Sequence, residues 1–323
     1  MNIVIIGCGR MGQGIAITFA LAGYNLKLID IKKRSKNDFN KLLIKINSGL
    51  SKNLEILNNI KLINKNKIKR ILNNIEVIKY EGNNNLISSA DIIFECVPEK
   101  LKIKKAVFKL LSENANKKTI ISSTTSTILS SELSKYNKHP ERFLNAHWLN
   151  PPYLMPLIEI SPCNETSKSN IKKAYNLFIE IGKVPIISKP SPGYIVPRIQ
   201  SLAMNEAARI LEEGTASAED IDKSVIYGFG LRFAILGLLE FIDWGGIDTL
   251  DNASNYMTKA MKSKRFTTPN IVKKHIKDNN LGLSTQSGFM NWKNIDIDKY
   301  QEEKLKNFVK ITKLLNIQPK IKI

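Results

Sequence analysis

The chain has 323 residues, of which 43% are hydrophobic and 24% are charged, a balance typical of a globular protein with about two domains. Lys and Arg number 49 against 29 Asp and Glu, so the formal net charge is +20. The composition excludes an intrinsically disordered chain. The basic residues are dispersed, without an arginine-rich segment interleaved with aromatic residues, so nucleic acid is not expected as a partner.

The cysteines and the hydropathy pattern indicate in which cellular compartment the protein is expected. Cys8, Cys96 and Cys163 are far apart and lack ligand-type spacing, so we predict neither a disulfide framework nor a metal site. This usage favours a reducing, cytoplasmic environment. The apolar first twenty residues lack the basic region and the cleavage site of a signal peptide. The most apolar later run, residues 233–242, is too short to cross a bilayer, so no membrane partner is expected.

The first predicted elements form a dinucleotide-binding pattern. A β-branched strand enters a Gly-x-Gly-x-x-Gly turn, which opens an apolar helix. In this pattern Gly7 permits the tight turn, Gly9 lets the backbone approach a pyrophosphate, and Gly12 lets the helix and strand pack closely. The N-terminus of the helix carries positive dipole charge and would face the phosphates.

An acidic residue follows at the position that this pattern requires. A second predicted strand over residues 25–29 delivers Asp30, whose carboxylate should bind a ribose hydroxyl and repel a 2′-phosphate. The sequence therefore predicts NAD rather than NADP. Lys32, Lys33 and Arg34 follow at once, and we interpret them as a solvated helix start.

The next segments alternate between strands and helices. Residues 32–74 carry Ile and Leu at helical spacing among many Lys and Asn residues, which predicts an inserted helical arm rather than a plain crossover. The alternation beyond it is typical of a parallel, doubly wound sheet with a late extension. Strands are predicted over residues 75–78, 91–97, 119–122, 142–148, 157–160 and 184–187, and helices over 101–111 and 167–181.

The stretch from Lys189 to Gly193, rich in Pro, Ser and Gly, is the clearest interruption in the chain. It predicts a boundary between one domain of residues 1–190 and another of residues 191–323. The second part shows hardly any strand pattern. Helices, some of them with breaks, are predicted there over residues 195–213, 218–227, 235–261 and 268–277, and residues 294–323 are predicted to be a final helix or a mobile end.

His147 is the candidate for proton transfer. Oxidation of an alcohol by a nicotinamide needs a base for the hydroxyl proton, and imidazole is well suited to this near neutral pH. His147 ends a predicted strand and precedes a proline-rich turn, at a sheet end where ligands gather. Glu159 follows twelve residues later on the next strand, so a hairpin-like return could place its carboxylate on the imidazole and determine the tautomer.

Several segments, taken together and in order, resemble the 3-hydroxyacyl-CoA dehydrogenase family, which includes 3-hydroxybutyryl-CoA dehydrogenases. The resemblance extends from the N-terminus to about Trp292. It implies an α/β fold, with a Rossmann-type doubly wound N-terminal domain followed by an all-helical C-terminal domain that usually dimerises. The matching segments are GCGRMG (7–12), DIIFECVPE (91–99), STTST (123–127), HWLNPP (147–152), LIEI (157–160), SPGYIVPR (191–198) and AEDID (218–222).

The resemblance also implies roles for single residues. His147 would be the catalytic base, Glu159 its orienting partner, and Ser126 would lie near the substrate oxygen and the nicotinamide. The cofactor would be NAD. It would be bound by residues of the glycine turn and of later segments, namely Gly7, Gly9, Arg10, Met11, Gly12, Asp30, Glu99, Lys104 and Asn150.

The chain departs from the family pattern in its substrate-binding half. Pro197 stands where many relatives have an Asn that helps to hold the substrate carbonyl, and proline offers neither a side-chain donor nor a backbone N–H. Gln200 and Ser201, one helical turn on, could present a donor from the same face. Ser284 stands where a common family pattern has a Lys that contacts the cofactor. These departures leave the acyl group open.

The main prediction is an NAD-dependent oxidoreductase that reversibly oxidises a short-chain 3-hydroxyacyl-CoA, such as 3-hydroxybutyryl-CoA, to the 3-oxoacyl-CoA. The expected partners are this small-molecule CoA thioester and a second copy of the chain, bound through the C-terminal domain. One alternative is a dehydrogenase for a free 3-hydroxy acid, of the gulonate or carnitine type, in which the Asn150-Pro151-Pro152 turn also occurs. The other is a non-catalytic dinucleotide-binding protein similar to the lens crystallins.

Overall fold

The computed structural model of the protein describes residues 1–318 of the chain. These residues group into two compact units, and the boundary falls between Ala203 and Met204. Helix α8 (Val196–Glu212) continues across that boundary.

The first unit is built on one eight-stranded sheet with the order β3-β2-β1-β4-β5-β6-β7-β8. All neighbouring strands are parallel except β6 and β7, which are antiparallel. The order reverses between β1 and β4, which makes a crevice at their carboxyl ends. The strands are β1 (Ile3–Ile6), β2 (Leu26–Asp30), β3 (Ile75–Lys79), β4 (Ile92–Glu95), β5 (Ile120–Ser123), β6 (Phe143–Trp148), β7 (Leu157–Pro162) and β8 (Val184–Ile187).

Helices connect the strands and cover the sheet on both faces. They are α1 (Arg10–Leu21), α2 (Lys36–Asn59), α3 (Lys65–Asn73), α4 (Asn85–Ser88), α5 (Leu101–Asn114), α6 (Ser130–Leu133) and α7 (Lys168–Glu180). Alternate residues of β1 enter two separate hydrophobic clusters, with Ile3 and Ile5 in one and Val4 and Ile6 in the other. Because both faces are buried, the central strands are continuously apolar in sequence.

The predicted strands are confirmed, with ends that differ by one to a few residues. The predicted arm over residues 32–74 is helical as expected, but it is wrong to separate it from a crossover. Its helices α2 and α3 connect β2 to the parallel strand β3, and Leu50, Leu54 and Leu57 are buried in the core beside α1. The apolar stripe of α2 therefore packs against α1 and α3 in the hydrophobic core.

The second unit is helical, which confirms the predicted fold class. Its helices after α8 are α9 (Ala218–Ser224), α10 (Leu231–Phe233), α11 (Leu238–Gly245), α12 (Ile247–Ala260), α13 (Asn270–Lys277) and α14 (Ile297–Leu314). The predicted helix over residues 235–261 is interrupted at Gly246, whose φ of +95° no continuous helix allows. The predicted final helix is α14, and residues 319–323 lie outside the described part of the chain.

Asp243 holds the segment that precedes α14 by three hydrogen bonds. Its buried carboxylate accepts hydrogen bonds from the backbone amides of Phe289 and Met290 and from the indole of Trp292.

Over residues 1–318, no single helix has the length and apolar composition to cross a bilayer. One pair of consecutive helical segments, Ala218–Phe233 and Leu238–Gly245, has the required length and apolar composition when the two are taken together, but they are bent by 87° relative to each other.

Candidate active site

The turn between β1 and α1 has the geometry that a bound dinucleotide requires. Gly7 has a φ of +111°, and a Cβ on it would lie 2.7 Å from the carbonyl oxygen of Cys96. A Cβ on Gly12 would lie 1.9 Å from the carbonyl oxygen of Gly7, so side chains are excluded at both positions. A Cβ on Gly9 would meet nothing within 4 Å. The N-terminus of α1 is therefore open to a phosphate group.

This turn borders a cavity of about 880 Å³, which is large enough for a cofactor. The cavity lies over the carboxyl ends of β1, β2, β4 and β5, at the crevice of the sheet. Seven of the residues predicted from the sequence line it, namely Gly7, Gly9, Arg10, Met11, Asp30, Glu99 and Ser126. Gly12 instead lies beneath the turn.

Asp30 lies at the end of β2 and is 7% exposed. Its Oδ2 accepts a hydrogen bond of 2.5 Å from Nε of Arg34, and both residues line the cavity. Lys32 lines it as well. The sequence-based interpretation of Lys32 and Arg34 as part of a solvated helix start is wrong, because α2 begins only at Lys36 and both side chains lie in the loop beside the acid.

Two thiols, Cys8 and Cys96, also line the cavity. Burial, reinforced by the nearby charge of Asp30, raises the pKa of Cys8 to about 12. Burial and the charge of Glu95 raise the pKa of Cys96 to about 12. Since only a thiolate is an effective nucleophile, both side chains act as small apolar groups in the wall of the cavity.

Glu99 is connected to a buried ionic network behind the cavity. Lys104 Nζ lies 3.2 Å from Glu99 Oε2 and 2.9 Å from each carboxylate oxygen of Glu95. Burial opposes ionisation of Glu99, but a hydrogen bond from Thr125 and the charge of Lys104 hold its pKa below the usual value. Lys104 is 1% exposed and supports Glu99, and a direct contact of Lys104 with the dinucleotide stays a prediction.

His147 and Glu159 form the pair that their spacing predicts. The antiparallel register of β6 and β7 places His147 directly opposite Glu159. His147 Nδ1 lies 2.8 Å from Glu159 Oε2, and both residues are buried. The carboxylate therefore keeps the proton of the neutral imidazole on Nδ1 and leaves Nε2 as the basic nitrogen.

The second oxygen of Glu159 is occupied as well. Glu159 Oε1 accepts hydrogen bonds of 2.9 Å from the backbone amides of Ile195 and Val196, where α8 begins. Burial would raise the pKa of Glu159, but the hydrogen bonds from His147, Val196 and Ile195 hold it below the usual value. Glu159 is thus a charged, fully hydrogen-bonded support for the imidazole.

Two other predicted residues are exposed. Ser126 follows β5 and lines the cavity, whereas Asn150 lies in the turn after His147 and does not line it. The turn is anchored by Lys183, whose ammonium donates to the carbonyl oxygens of Pro152 at 2.6 Å and Met155 at 2.9 Å. A contact between Asn150 and the dinucleotide stays a prediction.

Sequence reasoning missed Tyr194, which lies against the histidine, and Asn145, which contacts Tyr194. The ring of Tyr194 stacks on His147, and Asn145 donates a hydrogen bond of 3.0 Å to the Tyr194 hydroxyl. Asn145 could have been found, because it precedes His147 by two residues on a strand and therefore faces the same way. Tyr194 lies in the segment 191–198 that resembles the family, but its contact with His147 could not be predicted, because the two residues are far apart in the chain.

Comparison with known proteins identifies the family. A sequence profile of the 3-hydroxyacyl-CoA dehydrogenase NAD-binding domain matches residues 2–190, and the profile of the C-terminal domain matches residues 193–292. A 3-hydroxybutyryl-CoA dehydrogenase from Clostridioides difficile is 30% identical over 292 residues, which are 90% of this chain and 99% of the relative.

Two further relatives cover nearly the whole chain. The 5-formyl-3-hydroxy-2-methylpyridine 4-carboxylate 5-dehydrogenase of Mesorhizobium japonicum is 25% identical over 316 residues, which are 97% of this chain and 98% of the relative. The crystal structure of a 3-hydroxyacyl-CoA dehydrogenase from Archaeoglobus fulgidus is similar with a TM-score of 0.77 and 26% identity, over 98% of this chain and 100% of that one.

The first profile covers more than half of the chain, and the residues that it matches include the glycine turn, Asp30, His147 and Glu159. The open helix N-terminus and the adjoining cavity fit the cofactor of that domain, which is NAD. The chain belongs to the 3-hydroxyacyl-CoA dehydrogenase family.

Proposed function

We propose that the protein reversibly oxidises a short-chain 3-hydroxyacyl-CoA, such as 3-hydroxybutyryl-CoA, to the 3-oxoacyl-CoA. The observation that carries this proposal is the buried His147–Glu159 pair, in which Nδ1 is held at 2.8 Å and Nε2 is left free for a substrate proton. A dinucleotide-binding protein without activity would need neither residue, and this argues against the non-catalytic alternative.

The chemistry requires removal of a proton and a hydride from the same alcohol. His147 Nε2 takes the hydroxyl proton and becomes part of an imidazolium, whose charge the carboxylate of Glu159 stabilises. Held by the glycine turn and Asp30, NAD would supply the acceptor for the hydride that leaves C3. Loss of the proton and the hydride leaves the carbonyl of the 3-oxoacyl product, and the reverse reaction returns both to the carbonyl.

Ser126 is the proposed donor to the reacting oxygen. Ser126 is exposed and lines the dinucleotide cavity, in the loop that follows β5. In the reductive direction the substrate carbonyl gains negative charge before it receives the proton, and a positioned hydroxyl stabilises that charge.

A free 3-hydroxy acid is the second candidate substrate. The Mesorhizobium relative is named for a pyridine carboxylate rather than a CoA thioester. Pro197 removes a donor that many family members use for the substrate carbonyl, and it lies in the first turn of α8. A different substrate would explain that loss.

A direct comparison of substrates tests the proposal. The purified protein is assayed with NAD and either 3-hydroxybutyryl-CoA or free 3-hydroxybutyrate, gulonate and carnitine, with NADH formation followed at equal substrate concentrations. We expect kcat/KM for the thioester to exceed that for each free acid at least tenfold. A free acid that is the better substrate would replace the thioester in this proposal, and absence of turnover with all of them would contradict it.

The preference for NAD is expected to depend on Asp30. Its carboxylate opposes a 2′-phosphate, whereas Arg34, which it binds, would attract one. Replacement of Asp30 by Ala should weaken NADH binding and free Arg34, so the affinity ratio shifts toward NADPH by about tenfold. Fluorescence titration of both cofactors measures this ratio, and Asp30→Ala combined with Arg34→Ala is the control that should lose the shift. An unchanged ratio in Asp30→Ala would contradict the assignment.

We also propose that two copies of the chain associate as a homodimer. Helix α8 has 17 residues and buries none of them in a single chain. Ile199, Leu202 and Leu211 are exposed along it, although such a helix normally buries its apolar face. A second copy would cover this face, and light scattering of the purified protein measures the number of chains.

The cytoplasm is the proposed location. Cys8, Cys96 and Cys163 are free thiols, and thiols persist in a reducing compartment. Fractionation of cells that produce the tagged protein tests this assignment.

A further inference from the structure

Tyr194 lies against His147 in a backbone conformation that tyrosine rarely adopts. Its φ is +47°, in the left-handed region that is unfavourable for bulky residues, and its side chain is only 6% exposed. Such a conformation persists where the surrounding contacts require it, and it is common at functional sites. The contacts of the Tyr194 side chain must therefore stabilise this backbone conformation.

The ring and the hydroxyl of Tyr194 have different partners. The ring is parallel to the imidazole of His147, with 5.0 Å between the centroids and 8° between the planes. The hydroxyl donates a hydrogen bond of 2.8 Å to the carbonyl oxygen of Thr125 and accepts one of 3.0 Å from Asn145. Burial raises the pKa of Tyr194, so the phenol stays protonated and remains a donor.

The left-handed turn at Tyr194 serves Glu159 too. The next two amides, of Ile195 and Val196, both donate to Glu159 Oε1. Three consecutive residues thus contact both members of the catalytic pair, with the ring on the imidazole and the amides on the carboxylate.

The hydroxyl of Tyr194 reaches the residue that precedes Ser126. Over residues 1–318, the Ser126 side chain makes no hydrogen bond of its own, so its position depends on its neighbours. Thr125 is held by two hydrogen bonds. Its hydroxyl donates to Glu99, and its carbonyl oxygen accepts from the Tyr194 hydroxyl. That carbonyl belongs to the peptide bond between Thr125 and Ser126.

We propose that Tyr194 is a positioning residue that aligns the base with the hydroxyl donor, because its ring sets the plane of the His147 imidazole and its hydroxyl sets the Thr125–Ser126 peptide. This inference rests on the proposed function, in which His147 and Ser126 act on the same substrate oxygen. It predicts two separable effects, one that depends on the ring and one that depends on the hydroxyl.

The ring effect can be measured without any substrate. Protons held over an aromatic face resonate upfield, so the ring protons of His147, assigned by their loss in His147→Gln, should be shifted upfield in NMR spectra of the unaltered protein. Tyr194→Phe should keep this shift, and Tyr194→Leu should abolish it. An unchanged shift in Tyr194→Leu would overturn the ring assignment.

The hydroxyl effect is measured by turnover of 3-hydroxybutyryl-CoA with NAD. Tyr194→Phe should lower kcat roughly tenfold, because a misplaced donor loses much of its effect. If the hydroxyl acts through Ser126, Tyr194→Phe should lower kcat less than twofold when Ser126 is already Ala. Equal losses in both backgrounds, or full activity in Tyr194→Phe, would overturn the proposal.

The control is Tyr24→Phe, which likewise removes a tyrosine hydroxyl that donates a hydrogen bond, in this case to the side chain of Glu180. Tyr24 precedes β2, at the opposite end of the strands from the cavity, so its loss should leave kcat and the histidine shifts unchanged. If the unaltered protein oxidised no hydroxyacyl-CoA, the proposed function would fail, while the NMR comparison would still decide whether Tyr194 positions His147.

Discussion

Replacement of His147 by Gln is expected to lower kcat for 3-hydroxybutyryl-CoA at least about a hundredfold. Glutamine can fill the space beside Glu159, but its amide cannot take the hydroxyl proton near neutral pH. His147 does not line the dinucleotide cavity, so the affinity for NADH should remain. Initial rates and a fluorescence titration with NADH measure the two quantities. Near-normal turnover in His147→Gln would exclude this residue as the base.

The variant Glu159→Gln tests the contribution of the Glu159 carboxylate separately from that of the base, His147. Its amide oxygen can still accept from Ile195 and Val196, but the charge that stabilises the imidazolium is lost. We expect a smaller loss of kcat than in His147→Gln. Because the pKa of Glu159 lies below its usual value, the carboxylate is charged throughout the neutral range, and Glu159→Gln therefore removes a full negative charge at neutral pH. A loss larger than that of His147→Gln would contradict a supporting role.

The pair could be predicted because its geometry is local. His147 and Glu159 are only twelve residues apart on consecutive strands, and a two-strand return in register brings such residues face to face. The glycine turn was equally accessible, since its spacing alone specifies a tight turn, a phosphate approach and a close helix contact. Both features depend on contacts within one supersecondary unit.

The remaining site residues depend on contacts distant in sequence. Tyr194 reaches Thr125 across 69 residues, and no local pattern specifies which strand end a residue after a Pro-Gly turn will meet. Lys104 shows the complementary difficulty. A lysine four residues into an amphipathic helix is typical of a solvated surface, yet two glutamates from the end of β4 and the loop after it draw its ammonium into the interior. Buried ion pairs of this kind follow from tertiary packing.

The same limit applies to the predicted helical arm. The apolar spacing of residues 42–57 correctly predicts a helix, but periodicity describes only which face is apolar and not what covers it. Helices α1 and α3 supply the cover of α2, within the connection that the parallel pairing of β2 and β3 requires.

Replacement of Ser126 by Ala is expected to lower kcat by about two orders of magnitude. Loss of one donor to a developing oxyanion typically costs about 3 kcal/mol of transition-state stabilisation. Pro197 supplies no donor in this chain, so Ser126 should carry more of that stabilisation than in relatives with an Asn there. The rate of NADH oxidation with 3-oxobutyryl-CoA measures the loss, and an unchanged affinity for NADH shows that the cavity is intact.

Two residues of α8 serve as matched comparisons for this donor. Gln200 and Ser201 follow Pro197 by three and four residues, on the same helix face, and both are exposed. Gln200→Ala and Ser201→Ala should each lower kcat by less than Ser126→Ala, and the larger loss identifies the residue that assists. If Ser126→Ala, Gln200→Ala and Ser201→Ala all kept full activity, the donor assignment would be wrong.

The variant Pro197→Asn, which introduces the side-chain amide that many relatives have at this position, completes the test. If Pro197→Asn supplies the missing donor to the same oxygen, it should raise kcat and make Ser126→Ala less damaging, because the two donors then share the developing charge. If Pro197→Asn raised kcat while Ser126→Ala remained equally damaging, the donors would act independently. Pro197 would then reflect a substrate other than the short 3-hydroxyacyl thioester, and the free-acid alternative would gain the support that the thioester loses.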